Sequence, residues 1–82
     1  MIIRNEEISR VIVETPAGHE HLRTTVSLAD GTDLVFQEAA IANIVRAYVS
    51  IKTHPATTRI ELRGGPVAER KAGFAEWQLL ET

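Results

Sequence analysis

One stretch of this sequence repeats its apolar residues at helical spacing. Ile41, Ile44, Val45, Tyr48 and Ile51 fall three and four residues apart and so share one stripe of a helix. Gln37, Glu38, Ala39 and Ala40 fill the first turns with good helix formers. Glu38 sits near the positive end of the helix dipole and Lys52 near the negative end. Pro55 ends the run, because it has no amide hydrogen and pushes His54 out of helical backbone. A helix of about 16 residues spans roughly 24 Å, enough to cover one face of a small sheet.

The remaining patterns are those of strands. Val11, Ile12 and Val13 form a β-branched run within residues 8–15, followed by turn chemistry at Pro16, Ala17 and Gly18. In residues 20–28, Leu22, Val26 and Leu28 share one parity while His21, Arg23, Thr25 and Ser27 share the other. Asp30-Gly31 suits a two-residue hairpin turn into a third strand at 33–36. A fourth strand is expected at 57–63, where Ile60 and Leu62 alternate with Arg59, Glu61 and Arg63, ended by Gly64, Gly65 and Pro66. A fifth is expected at 74–80, with Ala75, Trp77 and Leu79 on its buried face.

With 82 residues, 44% of them hydrophobic and 24% charged, the chain has the size and composition of one small folded domain. The element order βββαββ therefore predicts a single α+β domain over residues 1–82, with one helix packed on one face of a five-stranded mixed sheet. A right-handed crossover through the helix gives the sheet order 3-2-1-4-5, with strand one central and parallel to strand four, an antiparallel return of strand four being the alternative.

Composition removes several chemistries. The sequence contains no cysteine, which excludes disulfides, thiolate metal sites and a cysteine nucleophile. The first residues resemble no signal peptide and no stretch reaches the length of an apolar membrane span, so a cytoplasmic protein without membrane contact is expected. No nucleophile elbow surrounds Ser9, Ser27 or Ser50, and the glycines fit neither the phosphate-loop nor the dinucleotide-loop spacing. No catalytic residue, cofactor or metal site is assigned, and the expectation is a non-enzymatic protein. His19 and His21 would share a strand face and, with His54, supply three imidazoles, but their spacing is not that of a zinc hydrolase, and two solvated histidines beside a turn are the preferred reading.

Two surfaces stand out. Up to Val45 there are three cationic and seven anionic side chains, whereas residues 46–71 carry six cationic and two anionic ones. Arg59 and Arg63 share a parity, and with Arg70 and Lys71 they form a candidate patch for phosphate or nucleic acid. Against it stand the net charge of −2 and only four aromatic residues, three of them at positions expected to be buried. The second surface is the sheet face away from the helix, where Val35, Phe74 and Leu80 lie among polar residues. It favours a protein-interaction or regulatory module that meets a protein partner or a second copy of itself, with nucleic-acid binding as the alternative.

Overall fold

A computed structural model describes residues 1–67 and 77–82. The chain forms two compact units, Met1–Glu38 and Ala39–Thr82.

The first unit is a three-stranded antiparallel sheet. Strand β1 (Ile8–Glu14) pairs with β2 (Arg23–Leu28), which pairs with β3 (Asp33–Gln37). A short 3₁₀ turn at Asn5–Glu7 precedes β1, and the amide of Ala29 donates to the carbonyl of Glu7, tying this turn to the β2–β3 loop. The β1–β2 register shifts between Ile8 and Arg10. The bulge releases Ser9, whose hydroxyl donates to the carbonyl of Ser27 at 3.0 Å.

Both expected turns form. His19 donates its amide to the carbonyl of Pro16, and Gly18 takes a φ of +81°, the geometry of a type II turn. The Asp30-Gly31 turn is one residue longer than the sequence suggests. Leu28 and Thr32 close a loop of Ala29, Asp30 and Gly31, with Gly31 at φ +92°. The Asp30 side chain accepts the amide of Thr32 at 2.9 Å, which stabilises the looser turn and holds the Asp30 carboxyl below its ordinary range.

The register aligns Val11, Val26 and Leu34 in one row and Ile12, Thr25 and Val35 in the next, on opposite faces. The first face also carries Val13, Thr24 and Phe36. The second carries the polar rows Arg10–Ser27–Asp33 and Glu14–Arg23–Gln37. This matches the alternation read from the sequence.

The second unit holds the helix and a hairpin. Helix α1 runs Glu38–Thr53, close to the predicted bounds. Its last turn is closed by Thr53, whose hydroxyl donates to the carbonyl of Val49, and by His54, whose amide donates to Ser50. Strands β4 (Leu62–Pro66) and β5 (Trp77–Glu81) form an antiparallel pair, with Gly64 opposite Leu79, Gly65 opposite Gln78 and Pro66 opposite Trp77.

Three expectations change here. Gly64, Gly65 and Pro66 lie inside β4 instead of ending it, and β4 begins five residues later than the alternation at 57–63 suggests. Trp77 accounts for the first of these: its indole lies over Gly64, where a side chain would otherwise stand. Second, Trp77 itself is 66% exposed rather than buried. Third, the ladders form two separate sheets, β1-β2-β3 and β4-β5, in place of one five-stranded sheet. Within the first unit the pairing order is β1-β2-β3, and within the second β4 pairs antiparallel with β5.

Candidate interaction surfaces

The chemistry-bearing residues assemble differently from the strand-based expectation. His19 and His21 lie in the connection before β2, which starts only at Arg23, so strand alternation does not place them on one face. The Nδ1 of His21 is instead 2.9 Å from Oε2 of Glu38. His54 places its Nδ1 2.9 Å from the carbonyl of Ser50, at the end of α1. Among the described residues no three histidine or carboxylate side chains converge as a metal site would require, and no helix is long and apolar enough to cross a membrane.

Arg59 and Arg63 do come together, on a carboxylate. Nη2 of Arg59 donates to one oxygen of Glu61 at 2.9 Å, and Nε of Arg63 donates to the other at 2.7 Å. Three consecutive residues of one parity thus alternate plus, minus, plus. Glu61 cancels one of the two positive charges and engages one donor of each guanidinium. Arg70 and Lys71, the other members of the expected cluster, lie outside the described residues.

The two arginines, Arg63 first, hold the Glu61 carboxyl below the ordinary glutamate range. A carboxyl lowered in the folded state stabilises the fold at pH values above its unfolded titration, and that contribution is lost as pH falls through the folded one. Glu61→Gln should therefore melt slightly below the parent at neutral pH and together with it in acid. The difference should be small, because all three side chains are screened by solvent. Melting curves of both proteins across the acid range read this out, and an unchanged gap in acid would rule out the pairing as its source.

The expected apolar surface residues belong to different units. Val35 is exposed on the first unit, Leu80 is exposed on the second, and Phe74 lies outside the described residues.

The largest departure from expectation concerns α1. Asn43, Ala47 and Ser50 are half-buried and, with Arg46, line an open groove of about 310 Å³ whose other wall includes Ile60, Leu62 and Leu79. Asn43 donates its side-chain amide to the carbonyl of Ala39, which folds this polar group back onto the helix. At 3.6 residues per turn, the apolar stripe faces nearly the opposite way. Ile44, Val45, Tyr48 and Val49 are 48%, 51%, 62% and 50% exposed. Among the described residues no apolar side chain is fully buried, and the two buried residues, Thr24 and Ser27, are polar.

Helical periodicity identifies this stripe as a shared face, and the expectation that the chain's own sheet covers it does not follow from the periodicity. One further signal is present in the sequence. Glu38, Ile41, Val45, Tyr48 and Lys52 alternate spacings of three and four, which sets three apolar side chains between an acid and a base on one helix face. No protein-family model, no curated protein and no solved structure matches this chain.

Proposed function

We propose that this chain is a small non-enzymatic protein-interaction module that associates with itself. The observation that carries this reading is the half-exposed apolar stripe of α1 in a chain whose described residues bury no apolar side chain completely. Contiguous apolar surface on a small protein is commonly an interface, and two-fold dimers are the most frequent way to cover it. The bland explanation, single surface apolars scattered at random, accounts poorly for four adjacent positions on one helix.

Phosphate or nucleic-acid binding through Arg59, Arg63, Arg70 and Lys71 is the second reading. The position of Glu61 between the two arginines weighs against it.

Sedimentation from micromolar to millimolar concentration distinguishes the two, run in low and high salt and with a short mixed-sequence oligonucleotide added. The expected result is a rise in mass with protein concentration that survives salt, and no co-sedimentation of the oligonucleotide. A chain that stays monomeric throughout overturns self-association. Oligonucleotide binding lost steeply with added salt would install the second reading instead.

A further inference from the structure

We infer that the occupant of the exposed α1 stripe is the same stripe of a second copy, running antiparallel about a two-fold axis at Val45. This rests on the self-association reading and adds to it the surface, the orientation and the register.

The argument begins with the order of residues along the stripe. From its N-terminal end it reads Glu38, Ile41, Val45, Tyr48, Lys52, with an acid at one end, a base at the other and apolar side chains between. A two-fold interface brings the same patch of both copies together, so the patch must complement itself. Parallel pairing sets Glu38 against Glu38 and Lys52 against Lys52. Antiparallel pairing sets each Glu38 against the second copy's Lys52, and also opposes the two helix dipoles.

The spacing makes this register symmetrical. Glu38 and Lys52 each lie seven residues from Val45, roughly 10 Å along the axis. Ile41 and Val49 each lie four residues away and oppose one another across the axis. Ala42 and Tyr48 each lie three away, so the largest side chain of the stripe meets the smallest. Small opposite large is the condition for knobs to enter holes. Ala42, Val45, Tyr48 and Val49 are exposed, and Ile41 is half-buried. Lys52 already places its ammonium 6.0 Å from the Tyr48 ring centroid, within the stripe.

The polar side of α1 excludes itself from this role. Asn43, Arg46 and Ser50 face the groove in their own unit. A helix pair of this length covers less than the roughly 1,200–2,000 Å² of a stable standard interface. The dimer is therefore weak and its population depends on concentration.

Because the chain has no cysteine, one introduced thiol reports on one position. Val45→Cys should oxidise to a disulfide-linked dimer. Lys52→Cys should not, since antiparallel pairing holds its two copies roughly 20 Å apart. Lys52→Glu places like charges at both ends of the seam and should weaken the dimer roughly tenfold, with Glu38→Lys in the same chain restoring it. Circular dichroism of each variant checks that the helix is retained, which matters for Glu38→Lys because Glu38 also meets His21. Two outcomes overturn the seam alone: a concentration-dependent dimer in which the thiol of Val45→Cys stays reduced, or one in which Lys52→Cys cross-links. A wild-type chain monomeric at every concentration overturns the seam and the self-association reading together.

Discussion

Gly64→Ala should destabilise the protein by about 1 kcal/mol, while Gly65→Ala, one residue along, should be neutral or slightly stabilising. A methyl at Gly64 would stand 2.7 Å from Nε1 of Trp77, closer than real contacts allow. Among the described residues, a methyl at Gly65 would meet only Cδ1 of Leu80, at an ordinary 3.9 Å. Neither glycine has a positive φ, so backbone strain does not separate them. In both variants the unfolded chain loses the extra freedom of glycine, which favours folding. At Gly64 this gain is outweighed, because the indole must leave its seat on β4. Trp77 is the sole tryptophan, so its fluorescence reports the displacement directly. The emission of Gly64→Ala should move toward that of a solvated indole, and that of Gly65→Ala should not. Equal behaviour of the two variants in urea unfolding and in emission would show that Trp77 does not cover Gly64.

The same pair of glycines shows where sequence reading stops. Gly-Gly-Pro is a strong local turn signal, and nothing nearby in the sequence announces that Trp77 will supply the missing side-chain surface from the opposite strand. Strand ends set by long-range partners are invisible to local chemistry. Features set by local chemistry were legible. The stop of α1 before Pro55, the turn at Gly18 and the hairpin around Gly31 follow from residues within a few positions of each other. The parity rows of β2 and β3 were legible too, since alternation depends only on the pleat.

Candidate surfaces divide along the same line. Arg59, Glu61 and Arg63 share a parity in the sequence, so their meeting could be read in advance, although the eye is drawn to the two cations and passes over the anion between them. The apolar stripe of α1 was legible as a stripe. Periodicity states that residues share a face and is silent about what covers it. The polar character of Asn43 and Ser50 carried no warning either, because a half-buried asparagine can satisfy itself on the helix backbone, as Asn43 does on Ala39.

Ser27→Ala should cost about 1–1.5 kcal/mol, a large loss for a surface-rich protein of this size. Ser27 is one of the two buried residues of the described chain and sits on the middle strand of its sheet. Its hydroxyl donates to Oδ1 of Asp33 at 2.7 Å across the β2–β3 ladder, and its carbonyl receives the hydroxyl of Ser9 from β1. One residue thus ties all three strands at the point where the β1 bulge interrupts the ladder. Bonds to a charged acceptor are the stronger kind, and alanine at this position removes the donor. Asp33 is exposed and can turn to water, which keeps the loss below that of a stranded buried charge. Asp33→Asn preserves an acceptor oxygen and should cost less than Ser27→Ala. In urea unfolding of the two single variants and the double variant, Ser27→Ala should be cheaper in the Asp33→Asn background than in the parent, by up to about 1 kcal/mol. Additive losses would mean that the two side chains do not act as a pair and that Ser27 serves only to fill its place in the sheet. Ser9→Ala supplies the complementary measurement: it removes the bond from the bulge to the Ser27 carbonyl while leaving the Asp33 contact intact. It should loosen β1 more than β3, and amide exchange along the two strands distinguishes these effects.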